Sequence, residues 1–103
     1  MAHVIWTEPA LYNLEDIAEY IALHNPAAAK KLVKTVFRKV ERLEKFPASG
    51  RKPPELKTLD YRELIVNPCR ILYRVEKDSV YMVHVMRQEQ LLRIYLFNDK
   101  VIK

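Results

Sequence analysis

Basic side chains and residues that restrict the backbone coincide in the middle of this 103-residue chain, between residues 46 and 75. Arg51 and Lys52 directly follow Gly50, the only glycine, and prolines flank the pair. We expect a left-handed or otherwise strained backbone at Gly50, with both cations presented on a stiff loop. Guanidinium groups bind phosphate or carboxylate through paired hydrogen bonds, so the chemistry indicated is recognition of an anion.

Three further arginines extend this set if the segment forms strands. Side chains alternate along a strand, so Ile71 and Tyr73 share one face while Arg70 lies on the other, outside the core. Arg62 falls on the preceding strand, and Arg87 falls just past the following one. The candidate target-binding residues are Arg51, Lys52, Arg62, Arg70 and Arg87. The alternative is that they are ordinary exposed strand residues, paired with Glu55, Glu63 and Glu76.

Other site chemistries have less support in the sequence. His3, His24 and His84 are scattered, and the single cysteine cannot complete a zinc site, so we expect no metal and no cofactor. Residues 55–57 resemble the E-x-K pattern of metal-dependent nucleases, but they lie in a predicted loop and have no obvious aspartate partner upstream. The chain also has no phosphate-binding loop, no serine-hydrolase motif and no dinucleotide fingerprint.

Composition indicates one ordinary globular domain over residues 1–103, with half of the residues hydrophobic and 30% charged. No apolar run approaches the roughly 18 residues that cross a bilayer, and the amino terminus lacks the pattern of a secretion signal. One cysteine agrees with a reducing compartment. We therefore expect a cytoplasmic protein without membrane association.

Charge is distributed unevenly along the chain, although the net value is only +5. Residues 1–24 carry four acidic residues and no lysine or arginine, whereas residues 25–52 carry nine lysines or arginines and two glutamates. Such a basic region attracts a polyanion or an acidic protein partner. The alternative is a solvated basic helix face.

Apolar periodicity predicts two helices in the first half. Thr7 can cap a helix that runs to about Leu23, and Asn25 followed by Pro26 starts a second one that runs to Lys45 or Phe46. Only two or three residues separate the helices, so they should form an antiparallel hairpin. The acidic helix then neutralises part of the charge of the basic one.

The second half is rich in β-branched and aromatic residues. Strands are predicted over residues 61–66, 70–75 and 80–86, and short turns between them force an antiparallel meander. A further short strand is predicted over residues 3–6, and residues 88–103 fit either a fourth strand or a helical turn. The fold class is α+β, with an N-terminal strand and a helical hairpin packed on a three- to four-stranded antiparallel sheet.

The order of these segments carries a resemblance. A strand, a helix, a second helix opened by Asn25-Pro26, and then FPASGRKPPEL, YRELIV, CRILYRV and VYMVHVMR resemble the RelE/ParE toxins of bacterial toxin–antitoxin pairs, over residues 4–87. The SGR, PPEL and YREL stretches resemble the ParE branch, whose members poison DNA gyrase. The resemblance implies a helical hairpin on an antiparallel sheet, in agreement with the periodicities.

The resemblance to the ParE branch implies a toxin that binds DNA gyrase and stalls its cleaved-DNA intermediate. It also implies neutralisation by an acidic, partly disordered ParD-like antitoxin that folds over the helical hairpin and lies along a sheet edge. Nucleic acid is then contacted only through gyrase or through the antitoxin bound to its operator. Apolar positions on the helix faces provide the antitoxin-binding candidates Tyr12, Ile17, Tyr20 and Phe37.

The RelE branch instead cuts messenger RNA on the ribosome, with basic residues and a tyrosine. Arg62, Arg70, Arg87 and Tyr95 fall at or near these positions, but Leu64 replaces a lysine. Metal-free RNA cleavage needs a base for the 2′-hydroxyl proton and cations for the phosphorane, and arginine is a poor base. The sequence therefore favours poisoning over cleavage. The alternatives are a ribosome-dependent mRNA endonuclease and a degenerate, non-toxic module that only binds the antitoxin.

Overall fold

Two helices lie against one face of a four-stranded sheet in the computed structural model, which describes residues 1–56 and 58–88. The helices are α1 (Glu8–Ala22) and α2 (Pro26–Glu41). The strands are β1 (His3–Trp6), β2 (Arg62–Val66), β3 (Cys69–Glu76) and β4 (Ser79–Arg87). The predicted α+β class and helical hairpin are therefore confirmed.

Both helices begin where the sequence predicts. The Thr7 hydroxyl accepts a hydrogen bond from Ala10 N at 3.3 Å and donates one to Met82 O at 2.8 Å, which joins the start of α1 to β4. The Asn25 side chain accepts from Ala28 N at 3.0 Å and caps α2. In the described ranges, neither helix has the length and apolar surface that a bilayer crossing requires.

The second helix ends earlier than its apolar stripe suggests. Regular α-helix stops at Glu41, and a 3-10 turn over Arg42–Glu44 follows it. Leu43 in this turn is completely buried, because the tighter geometry still carries the side chain into the core. The predicted end at Lys45 or Phe46 is thus too late for the α-helix itself.

The strand order in the sheet is β1-β4-β3-β2. The three strands of the meander pair antiparallel, with turns at Asn67-Pro68 and Lys77-Asp78, as predicted. The N-terminal strand instead pairs parallel with β4. This arrangement is possible because the helical hairpin, and not a tight turn, connects β1 to the meander, and only a tight turn forces antiparallel neighbours.

Apolar side chains are buried on both faces of the sheet. Ile71, Tyr73 and Met82 face the helices and pack with Leu14 and Val36 in the main core. Each such side chain contributes about 1.5–3 kcal/mol when it is fully buried. A second, smaller cluster covers the opposite face and contains Leu56, Tyr61, Leu72 and Met86. The outer face of the sheet is therefore partly covered by the segment that precedes β2.

Candidate functional site

The loop that carries Arg51 and Lys52 is attached to the sheet through Tyr73. The Tyr73 hydroxyl, which is completely buried, donates to Pro47 O at 2.9 Å and accepts from Gly50 N at 2.8 Å. Burial raises the pKa of the Tyr73 phenol, so the hydroxyl keeps the proton that it donates. One side chain thus satisfies two backbone groups of the loop and holds both at a fixed distance from β3.

Gly50 serves a different purpose from the one that the sequence suggests. Its φ is not positive, so the expected left-handed backbone is wrong. A Cβ atom at this position would lie 2.5 Å from the Tyr73 Oη and 2.8 Å from the Glu63 carbonyl oxygen. The glycine is required because the loop approaches the sheet closely.

Backbone and side-chain bonds then attach the loop to the outer edge of β2. Arg51 N donates to Glu63 O at 3.1 Å, and Glu63 N donates to Arg51 O at 2.8 Å, which makes a short antiparallel bridge. The guanidinium of Arg62 donates to Gly50 O at 2.8 Å. Arg62 therefore supports the backbone of the loop.

Four charged side chains form a chain of ion pairs beside this bridge, which we call the charge cluster: Arg51, Glu63, Arg70 and Glu55. The Glu63 carboxylate is 0% exposed and accepts from Arg51 Nε at 2.6 Å and from Arg70 Nε at 2.8 Å. The two terminal nitrogens of Arg70 donate to the two oxygens of Glu55 at 2.7 and 2.8 Å. This fork geometry is the strongest form of an arginine–carboxylate pair.

Arg70 lies inside the protein, which corrects the expectation that it stays outside the core. It is only 7% exposed, because the segment before β2 covers its face of the sheet. Hydrogen bonds to Glu55 and the nearby Glu63 carboxylate outweigh burial and raise the pKa of the Arg70 guanidinium above its usual value. Pairing with glutamates is therefore confirmed for Arg51 and Arg70, whereas Arg62 donates to a backbone carbonyl. A further ion pair joins Arg74 and Glu76 at 3.2 Å.

The predicted cations do not form one surface. Arg51 has 60% of its side chain exposed and Lys52 is exposed, whereas Arg62 is half-buried and Arg70 is buried. Arg87 pairs with Cys69 across the sheet, so it lies on the helix face, opposite to Arg70. Its guanidinium is 5.5 Å from the centre of the Tyr20 ring. Alternation along β4 thus separates Arg87 from the other four residues.

An apolar depression, which we call the helix groove, is lined by residues of α1 and α2. It encloses about 690 Å³. Its lining residues are Leu11, Leu14, Glu15, Ala18, Glu19, Ala22, Pro26, Ala29, Lys30, Val33, Lys34 and Phe37.

The four antitoxin-binding candidates occupy three different environments. Phe37 lines the helix groove and stacks obliquely on Trp6, with ring centres 5.0 Å apart. Ile17 packs against the main core. Tyr12 and Tyr20 are 62% and 59% exposed on the surface of α1, outside the lining of the groove. The antitoxin-binding candidates did not include the groove-lining residues Leu11, Ala18, Ala22 and Val33, although the first three recur at spacings of seven and four along one side of α1.

Neither a reactive thiol nor a cluster of metal ligands is found in the described ranges. Burial raises the pKa of the Cys69 thiol to about 11, so the thiol stays protonated and unreactive. Burial lowers the pKa of His84. Among residues 1–56 and 58–88, no group of three His, Cys, Asp or Glu side chains could hold a metal ion. Tyr95, and the strand or turn expected after residue 88, lie outside the described residues.

Comparison with known proteins identifies relatives among toxins. Residues 4–92 match the family described as the ParE toxin of the type II toxin–antitoxin system parDE. Toxin RelE2 of Caulobacter vibrioides is 32% identical over 94 residues, which cover 91% of this chain and 100% of that protein. Putative toxin Y4kP of Sinorhizobium fredii is 38% identical over 87 residues, covering 82% of this chain and 86% of that protein.

Two solved structures share the fold at lower identity. The chromosomal ParDE toxin–antitoxin system of P. aeruginosa contains a chain with a TM-score of 0.74 and 23% identity, over 86% of this chain and 98% of that one. The RelBE2 toxin–antitoxin complex of Mycobacterium tuberculosis gives a TM-score of 0.56 and 19% identity, over 84% of this chain and 98% of that one. The loop that carries Arg51 and Lys52 and the helix groove thus belong to a fold shared with components of toxin–antitoxin systems.

Proposed function

Because the chain belongs to the ParE toxin family of type II toxin–antitoxin systems, we propose that it poisons DNA gyrase and is neutralised by a ParD-like antitoxin. One observation carries the choice of poisoning over RNA cleavage. Arg70, the cation that a RelE-like enzyme would place on the scissile phosphate, is buried and held by the carboxylates of Glu55 and Glu63.

A phosphate could reach Arg70 only at a high cost in free energy. It would have to displace Glu55 or Glu63, and Glu63 is completely buried, so its negative charge would lose a partner away from water. Breaking a buried ion pair in this way costs about 3–5 kcal/mol. The two carboxylates would also repel the developing charge of a phosphorane, which an RNA-cleaving site must stabilise.

Target contact is assigned to the exposed end of the charge cluster. Glu63 holds Arg51 through its Nε atom, and most of the Arg51 side chain remains exposed beside Lys52. Tyr73 and Arg62 fix the loop backbone, so little conformational freedom is lost when a partner binds. We assign Arg51 and Lys52 to gyrase contact, and Arg62 and Arg70 to positioning the loop. Arg87 stays a separate prediction.

The antitoxin is assigned to the helix groove. The floor of this groove is apolar, and Phe37 is one of its exposed side chains. A segment that is disordered when free can fold into such a groove as an amphipathic helix. The basic surface of α2 attracts the acidic antitoxin during the encounter.

The second candidate is ribosome-dependent mRNA cleavage. It is favoured by the name of the relative that is 32% identical, Toxin RelE2. This candidate predicts truncated transcripts soon after induction, without chromosome breaks. A degenerate antitoxin-binding module is the third possibility, and it predicts normal growth on induction without an antitoxin.

The direct test adds purified protein to DNA gyrase and relaxed plasmid, and in parallel to translating ribosomes with a defined mRNA. We expect inhibited supercoiling and accumulation of linear plasmid, with intact mRNA. Undisturbed supercoiling at several-fold molar excess over gyrase, together with cleaved mRNA, would favour the RelE-like alternative. Inactivity in both assays would favour the non-toxic module.

A further inference from the structure

The two rims of the helix groove carry opposite charges. Glu15 and Glu19 are successive-turn residues on the α1 rim, whereas Lys30 and Lys34 are successive-turn residues on the α2 rim. Because the helices are antiparallel and joined at residues 23–25, Glu19 lies towards Lys30 and Glu15 towards Lys34. Each turn of the groove therefore has one acidic and one basic side.

In the described ranges, none of the four rim side chains forms an ion pair. The expected neutralisation of α2 by α1 is not achieved through direct ion pairs, because none joins the two helices in the described ranges. The apolar floor keeps the rims apart, with small residues at Ala18, Ala22 and Ala29 between them. All four rim side chains are exposed and thus accessible to a partner.

The shape of the groove selects a single helix as its occupant. Residues 11–22 span about 17 Å at the rise of an α-helix, which corresponds to about three turns of a docked helix. The small residues of the floor allow the axis of this helix to approach closely, and Leu11 and Phe37 stand at one end. A second copy would present the same depression, and two depressions do not fill one another.

We propose that the groove binds an amphipathic antitoxin helix of about three turns with one acidic and one basic flank, and that the rim charges fix its direction. The acidic flank contacts Lys30 and Lys34, and the basic flank contacts Glu15 and Glu19. A helix of reversed direction would place like charges together on both rims. This inference rests on the proposed antitoxin partnership, and it replaces a uniformly acidic binding segment with one that carries both signs.

The test uses designed helical peptides of four turns, with identical apolar faces and different flanks. One carries an acidic and a basic flank, and one is acidic on both flanks. Fluorescence anisotropy measures the affinity of each for the wild-type chain and for the variant Glu15→Lys/Glu19→Lys. We expect the two-sign peptide to bind wild type about tenfold more tightly than the acidic peptide, since two exposed contacts change from repulsion to attraction.

The Glu15→Lys/Glu19→Lys variant has two basic rims, so it should bind the acidic peptide more tightly than the two-sign peptide. The matched control is Glu8→Lys/Asp16→Lys, which makes the same charge change on α1 outside the groove and should leave the preference unaltered. The difference should shrink at high salt, because the rim charges are exposed. Circular dichroism of every variant verifies that it remains folded.

Three results would overturn the inference. These are equal affinity for the two peptides in wild type, no detectable binding of the two-sign peptide at millimolar concentration, and a concentration-dependent dimer that competes with the peptide. None of these measurements involves gyrase, so their outcome is separable from that of the proposed gyrase target. If the protein does not inhibit gyrase but prefers the two-sign peptide in a manner that depends on the rim charges, only the proposed gyrase target is contradicted.

Discussion

At the scale of single residues, close contact between the loop and the sheet explains two positions that sequence reasoning interpreted otherwise. Gly50 is required by the nearness of Tyr73 and Glu63, not by a left-handed backbone. Tyr73 faces the main core as its alternation predicts, yet its hydroxyl also satisfies two loop groups. No local sequence pattern indicates the hydrogen bond between Gly50 and Tyr73, because the two residues are 23 positions apart in the chain.

Replacing Gly50 by alanine should destabilise the protein. A glycine-to-alanine change at a compatible position stabilises by about 0.4–1 kcal/mol through the unfolded state. Here the new methyl group would overlap the Tyr73 hydroxyl and the Glu63 carbonyl, at a cost of about 1–3 kcal/mol. Urea denaturation measures the free energy of unfolding, with Ser49→Ala as the exposed neighbouring control. A stability equal to or above wild type would contradict the close approach.

His84 should make the protein less stable in mild acid. Burial lowers its pKa, so the folded chain takes up a proton less readily than the unfolded chain. Below the ordinary histidine value of about 6.5, the unfolded state binds more protons, and stability falls as the pH falls. We expect the free energy of unfolding to decline from about pH 7 to about pH 5. His84→Gln should reduce this decline, whereas His24→Gln, at an exposed position, should leave it in place.

At the scale of elements, the sequence predicts features set by local signals but not those set by long-range packing. The starts of α1 and α2 were predictable, because Thr7 and the Asn25-Pro26 pair act within one turn. The meander followed from its short turns. The burial of Arg70 was not predictable, since its cover comes from the segment before β2, and its partner Glu55 is 15 residues away in the chain. Alternation assigns a face to a side chain but does not say whether that face is covered.

Removing Arg70 tests the charge cluster that joins this segment to β2 and β3. Arg70→Met leaves Glu63 without one of its two cations and Glu55 without its fork partner, so we expect a loss of about 3–5 kcal/mol in the free energy of unfolding. Arg74→Met on the same strand is the matched control. Its ion pair with Glu76 is partly exposed, and a loss of about 1 kcal/mol or less is expected. Equal losses in the two variants would show that burial does not distinguish the pairs.

At the scale of the whole molecule, the two surfaces that we assign to the target and to the antitoxin lie on different elements of the fold. The loop with Arg51 and Lys52 bridges to the outer edge of β2, whereas the helix groove is lined by residues of α1 and α2. The basic segment of residues 25–52 contributes to both surfaces. Basic residues of α2 border the groove, and Arg51 and Lys52 lie on the loop. A target and an antitoxin could therefore be recognised by separate parts of one small chain.

Toxicity should depend on the exposed loop cations and not on net charge. Lys52→Glu should reduce growth inhibition and linear plasmid formation at least several-fold, because it reverses a charge on the proposed gyrase surface. Arg38→Glu makes the same change at an exposed position of α2, and we expect it to retain activity. Arg51→Gln is preferable to Arg51→Glu at the neighbouring position, since a glutamate there would face the buried Glu63 carboxylate. Equal activity of Lys52→Glu and wild type would remove this residue from the target surface.

The bridge between Arg51 and Glu63 also hinders the β2 edge of the sheet from pairing with a second copy of the protein. An outer strand usually offers unpaired amide and carbonyl groups, on which strands of other molecules can assemble. The main-chain groups of Glu63 are already committed to Arg51, and an invading strand would have to detach the loop from Tyr73 before it could extend along β2. Chains that accumulate without their antitoxin are thereby hindered from joining edge to edge at this border of the sheet.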